Sequence, residues 1–262
     1  MKRSDGVATY LYCLVQAPRA PSPAKAPRGL AGTGPVRVID AGQGLWLVVA
    51  DAPLSRYGTA PIEHGLKDLR WVSACAMGHE GVVEHFARGA TVIPMKLFTL
   101  FAADERAVGH VRRARRRLDR MVARVSGRQE WGVRLTLDEA RALRGGVRPG
   151  RDGRAARSGT QFLLRKREQR DAVRRLRVQA RADADRLFER LARLADDARR
   201  QTPAQSANGV RLLLDAAFLV RTGRAAAFRA AGARLGHRLA GGGYALTLSG
   251  PWPPYTFVAE PA

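Results

Sequence analysis

Val7-Ala8-Thr9-Tyr10-Leu11-Tyr12-Cys13-Leu14-Val15 decides how the first half of this chain folds. The run is β-branched, aromatic and apolar, and it stops at Gln16-Ala17-Pro18, which predicts a buried strand. Residues 17–35 follow with five prolines and read as a loop. Val36–Ile39 and Leu45–Ala50 then flank Asp40-Ala41-Gly42-Gln43-Gly44, the spacing of a hairpin with a glycine-bearing turn. Beyond breaks at Pro53 and Pro61, Val72, Ala76, Val82, Val83 and Phe86 recur at helical intervals, so a helix is expected over 62–88. Thr91-Val92-Ile93-Pro94 predicts a short strand. Val108, Val111, Ala114, Leu118, Met121, Val122 and Val125 form one stripe of a helix over 104–125, with arginines mostly on its other faces.

A second unit opens with Glu130-Trp131-Gly132-Val133-Arg134-Leu135, read as a strand. Residues 144–159 hold five glycines, five arginines and a proline, and are expected to form a mobile basic loop. A long Arg-rich helix is expected over about 160–200, with Val173, Leu176, Ala180, Leu187, Leu191, Leu194 and Ala198 on one stripe and Pro203 ending it. A strand over 210–221, a helix over 223–240 and a last strand over 244–249 follow. The expected fold class is α+β in two domains, each a small mixed or antiparallel sheet with helices packed on one face. The expected boundaries are 1–127 and 128–262, the second domain carrying the 144–159 loop and a Pro/aromatic tail over 250–262.

At 262 residues with 45% hydrophobic content, the chain is long enough for two cores and too apolar for wholesale disorder. Basic residues outnumber acidic ones 46 to 23, a net +23. Residues 104–262 carry 35 of the basic and 16 of the acidic side chains. An acidic protein, a nucleic acid or an anionic surface would each suit such a half. Because 41 of the 46 cations are Arg, in an Ala-rich chain, GC-rich coding is an equally good source of the excess. Cys13 and Cys75 read as buried small hydrophobes, and no Cys-x-x-Cys is present for a zinc ribbon or redox site. No signal peptide is expected, since Met1–Gly6 leads straight into the first strand-like run, and the purest apolar run, Leu45–Ala50, is far below the roughly 18 residues of a membrane span. A cytoplasmic protein is expected.

Catalytic constellations do not emerge. His79 and His85 flank Glu80 and Glu84 six residues apart, which on a helix turns their side chains about 120° away from each other. The zincin pattern needs histidines four apart, so no metal is assigned. Gly29-Leu30-Ala31-Gly32-Thr33-Gly34 and Gly42-Gln43-Gly44 lack the Gly-Lys-Ser/Thr ending of a phosphate loop and read as turns. No cofactor is implied and no enzyme is expected. Phe162 and Phe188 are the only aromatics between Trp131 and Phe218, so the Arg-rich helices lack the interleaved rings of a single-strand groove and read as solvated faces. Arg148, Arg151, Arg154 and Arg157 of the basic loop are the candidate electrostatic contacts. The tail Ser249–Val258 packs three prolines and three aromatics into ten residues and is expected to be stiff and extended. Its Trp252, Tyr255 and Phe257 are candidates for partner docking or for closing a domain.

Taken in order, several segments resemble the GvpL/GvpF family of gas vesicle accessory proteins. They are Tyr10–Val15, His79 ahead of Val82, Thr91–Phe101, Glu130–Val133, Gly159–Leu163 before Arg165-Lys166, Ala217–Val220 and Gly250–Tyr255. Lys96-Leu97-Phe98 departs from the family's more usual Arg-Phe-Gly, and Thr160-Gln161-Phe162 from a small residue and Tyr. The resemblance implies cytoplasmic two-domain α+β proteins with ferredoxin-like elements. It also implies a non-enzymatic role in gas vesicle nucleation, through binding of the very hydrophobic shell protein or other accessory proteins. The alternative from charge alone is a basic nucleic-acid-binding protein.

Overall fold

A computed structural model describes residues 6–146, 159–201 and 210–258, arranged as two compact units. The first comprises Met1–Arg128 together with Trp252–Ala262, and the second Gln129–Pro251. The terminal segment therefore groups with the first unit, where the sequence placed it with the second.

The first unit is built on β1 (Val7–Gln16), β2 (Arg37–Gly42), β3 (Leu45–Pro53), β4 (Thr91–Pro94) and β5 (Leu100–Phe101). The order is β2-β3-β1-β4, with β5 also pairing β1. β1 runs antiparallel to β3 from Val7↔Pro53 to Gln16↔Leu45, with a register shift between Leu11 and Cys13. That bulge inserts Tyr12 as an extra residue. Tyr10, Tyr12, Cys13 and Val15 consequently all join one core cluster. Leu11 and Leu14 instead line a cavity with residues of the following helices. Every residue from Ala8 to Val15 is buried.

Short helices α1 (Leu54–Tyr57) and α2 (Thr59–Gly65) precede α3 (Leu69–Ala87). The single helix expected over 62–88 is interrupted because Asp68, in extended conformation, caps α3 by accepting a hydrogen bond from the Arg70 amide at 2.8 Å. α3 lies on β1 and β4, while α4 (Asp104–Arg113) contacts β1 and β2, and α5 (Arg115–Val125) contacts β4. Val82, Val83 and Phe86 join the Tyr10 cluster from α3. Val111 and Leu118 line the Leu11/Leu14 cavity from α4 and α5. Helices thus cover both faces of this sheet, against the one-face layering expected. Burial on both faces explains why β1 shows no polar alternation. The 104–125 helix breaks at Ala114 (φ −85°, ψ 3°), and Arg115 donates to the Gly42 carbonyl at 2.8 Å and to Asp119 at 2.8 Å.

The second unit contains β6 (Arg128–Asp138), α6 (Glu139–Gly146), α7 (Gly159–Ala192), β7 (Asp197–Arg200), β8 (Val210–Arg221), α8 (Ala225–Ala240) and β9 (Tyr244–Trp252). A 3₁₀ turn, Thr222–Arg224, leads into α8. The sheet order β7-β8-β6-β9, with strand, helix, strand, strand, helix, strand along the chain, is the ferredoxin-like split βαβ arrangement. Trp131, Val133 and Leu135 of β6 pack with Ala184, Leu187 and Leu191 of α7, and with Phe228 and Leu235 of α8. Phe218 anchors this core, its ring 5.5 Å from Phe188 and 5.4 Å from Phe228. Burying each such ring contributes about 1.5–3 kcal/mol.

α7 stops at Ala192, not near residue 200. Asp197–Arg200 pairs antiparallel with β8, Asp197↔Leu219 through Arg200↔Ala216, as an edge strand the sequence reading missed. Among the described residues no helix is long and apolar enough to cross a membrane.

Candidate functional site

Three arrangements bear on function. The first is a polar network inside the first unit. β1 presents the Tyr10 hydroxyl 2.8 Å from Nδ1 of His79 on α3, and Nε2 of His79 lies 3.1 Å from the Met95 carbonyl. A carbonyl can only accept, so Nε2 carries the ring proton and Nδ1 accepts from Tyr10. The Tyr10 oxygen in turn accepts from the Phe98 amide at 3.2 Å. Burial depresses the His79 pKa to about 4, the Met95 bond opposing it. His85 instead packs edge-on against Phe86, 5.0 Å between centroids, so the two histidines serve separate surroundings. Among the described residues no group of three or more His, Cys, Asp or Glu side chains could hold a metal ion.

The Phe98 amide reaches Tyr10 because Phe98 adopts φ +64°, a conformation costly for any side chain but glycine's lone hydrogen. Its ring stacks on Trp71 at 5.3 Å and 17°. The Tyr12 hydroxyl accepts from the Leu30 amide at 3.1 Å and Tyr57 donates to the Ala31 carbonyl at 2.6 Å, so both rings pin the Pro-rich loop to the core. Gly29 (φ +71°) and Gly78 of α3 let loop and helix touch: a Cβ on Gly78 would stand 2.7 Å from the Gly29 carbonyl oxygen.

The second arrangement is the tail. After Trp252, Pro253 and Pro254 open a helical turn, α9 (Tyr255–Val258), where prolines lose no amide bond. The amide of Val258 donates to the Pro254 carbonyl at 3.2 Å. The stiff extended segment expected from the sequence therefore ends at Trp252. Phe257 is fully buried and Tyr255 half-buried, whereas Trp252 remains 42% exposed. α9 packs on β4 and α5. Tyr255 and Val258 help line a cavity of about 320 Å³ whose apolar wall includes Leu11, Leu14, Ile93 and Leu118. Glu80 Oε1 and the Tyr255 hydroxyl are buried without a partner at full hydrogen-bonding geometry. They are near enough to influence each other: burial raises the Glu80 pKa, the Tyr255 hydroxyl opposes that rise and Glu84 adds to it.

The third is electrostatic. Arg148, Arg151, Arg154 and Arg157 lie outside the described residues, as does most of the basic loop. Sequence reasoning passed over a better-defined basic surface on α7. Lys166, Arg170, Arg174, Arg177 and Arg181 recur at intervals of four, four, three and four residues and line one cleft with Arg211 of β8. That spacing was the signal available, hidden by the density of arginine around it. Glu139 takes Arg177 through two bonds of 2.9 and 3.1 Å and Arg211 through one of 2.9 Å. Those hydrogen bonds, Arg177's first, hold the Glu139 carboxyl below its usual range.

The profile of the family described as gas vesicle synthesis protein GvpL/GvpF matches residues 8–259. The chain belongs to this family. Gas vesicle protein L of Streptomyces sp. (strain CB03234) is 29% identical over 259 residues, spanning 95% of this chain and 91% of that one. The crystal structure of gas vesicle protein GvpF from Anabaena sp. PCC7120 superposes with a TM-score of 0.70 at 17% identity, covering 98% of both chains. GvpF from Microcystis aeruginosa gives 0.67 at 15% identity, over 97% of this chain and 99% of that one. The two GvpF structures share the mixed α+β fold.

Proposed function

We propose that this protein acts in gas vesicle formation by binding the hydrophobic shell protein and other accessory proteins, in the cytoplasm and without catalysing a reaction. The observation that carries the reading is the family match across nearly the whole chain, which includes both units. A small shell protein exposes apolar surface that associates prematurely, and an accessory protein that covers it keeps it available for ordered growth. Trp252, partly exposed beside the buried Phe257, is the proposed contact of the tail. Tyr255 and Phe257 are proposed to close the first unit and hold Trp252 in place.

The test is co-expression with a short, very apolar gas vesicle shell protein, followed by affinity capture at 0.05 and 0.3 M salt. Soluble shell protein retained on the captured chain is the expected result. Insoluble shell protein and no captured accessory protein at either salt concentration would sink the proposal.

A further inference from the structure

The cleft between α7, α6 and β8 combines two features that rarely coincide on a solvated helix. Its volume is about 1280 Å³, and Leu143, Val173, Leu212 and Leu213, all partly buried, give it an apolar side. Val178, 67% exposed, lies about 140° around α7 from Val173, beyond the arginine row. The rim is cationic. Asp185, the lining carboxylate, is already engaged by Arg200 at 2.7 Å, and Glu139 occupies Arg177 and Arg211. Lys166, Arg170, Arg174 and Arg181 form no ion pair with any described residue. Like charges three or four apart on a helix repel one another, so this row is unfavourable until counter-charges arrive.

We infer that this cleft binds an acidic amphipathic helix of a partner protein, its apolar stripe on Val173, Leu212 and Leu213 and its carboxylates against Lys166, Arg170, Arg174 and Arg181. From Lys166 to Asp185 the rim extends about 28 Å at 1.5 Å per residue, the length of a helix of roughly 19 residues. An apolar floor with a charged rim is how a helix is held in a groove, through anchors at i, i+3, i+4 and i+7. A nucleic acid would use the cations but gain nothing from Val173, Leu212 and Leu213, and among the described residues none that lines the cleft is aromatic. The inference rests on the reading of the chain as an assembly protein and supplies the chemistry of one of its partners.

The probe is a fluorescein-labelled 19-residue peptide with leucines at i, i+3, i+4 and i+7 and Glu or Asp elsewhere. It is compared by anisotropy at 0.15 M salt with a scrambled peptide of identical composition and an 18-base-pair duplex. The ordered peptide is expected to bind the full chain at least tenfold more tightly than the scramble. Arg170→Glu/Arg174→Glu/Arg181→Glu, all at exposed positions, should weaken it at least tenfold, and Val173→Ser at least threefold. Arg175→Glu/Arg190→Glu/Arg224→Glu carries the same charge change outside the cleft and should leave affinity within twofold. Equal binding of the scramble, equal loss in both triple variants, or tighter binding of the duplex overturns the inference. Failure of shell-protein capture with peptide binding intact removes the proposed function instead, and the converse result removes only the cleft.

Discussion

His79→Gln tests whether the buried imidazole is a neutral strut between β1 and the Met95 turn. Glutamine offers an amide N–H to the Met95 carbonyl and a carbonyl to the Tyr10 hydroxyl, but it cannot take up a proton. In the folded chain burial lowers the histidine pKa to about 4, from 6.5 in a solvated chain. Between those values the unfolded state binds more protons than the native one, so the histidine's contribution to stability rises with pH and is lost on acidification. Integrated from pH 7.5 to 4.5, the wild type should lose about 2–3 kcal/mol through this group alone. The variant should be the weaker of the two at pH 7.5, by about 1–3 kcal/mol for two imperfectly replaced hydrogen bonds. Its deficit should shrink or reverse by pH 4.5. Other groups titrate nearby: burial raises the Glu80 pKa, which acts with the opposite sign above its ordinary value, and Arg37 lowers that of Asp104, which matters below pH 4. They cancel in the difference between the two proteins. Urea unfolding in a Trp131→Phe background leaves Trp46, Trp71 and Trp252 as reporters of the first unit. A stability gap that stays constant from pH 7.5 to 4.5 would refute the neutral-strut argument.

Gly78→Ala should destabilise despite a gain of about 1 kcal/mol in helix propensity, because the new methyl meets the Gly29 carbonyl backbone; a lower urea midpoint checks it. Phe257→Ala should lower the first unit's stability by about 3–5 kcal/mol, while Trp252→Ala should change it by less than about 1 kcal/mol and reduce partner capture. Calorimetry beside affinity capture separates the two. Phe98→Gly relieves a positive φ but loses the Trp71 stack, two effects of about 1–2 kcal/mol each; the unfolding midpoint should barely move while Trp71 emission shifts to the red.

Much of the architecture was legible from local pattern. β1 announced itself through an unbroken apolar run, and the β2–β3 hairpin through Gly42 and Gly44, both at positive φ. Failures came where long-range pairing overrode local period. Leu187, Leu191, Leu194 and Ala198 keep a helical stripe past Ala192, yet Asp197–Arg200 gains more from the free edge of β8 than from another helical turn. Nothing in Asp-Ala-Arg-Arg alternates, as suits a short charged edge strand. The break at Ala114 has no glycine or proline to signal it. The Tyr10–His79 bond joins residues 69 apart, and only the Tyr12 bulge brings Cys13 and Val15 into the tyrosines' cluster. The role of Phe257 was open in the sequence between closing its own domain and docking a partner; its side chain is buried in the structure, which no local pattern signalled.

Because the second unit is threaded between Arg128 and Trp252 of the first, assembly order during synthesis is inverted for part of the molecule. The N-terminal sheet emerges from the ribosome early but lacks Phe257 and Val258 until about 130 further residues are made. At 5–20 residues per second that is a delay of roughly 7–26 s. A nascent chain stalled before that point carries an open seam over β4 and α5, which makes the last helical turn a built-in mark that translation has passed residue 258.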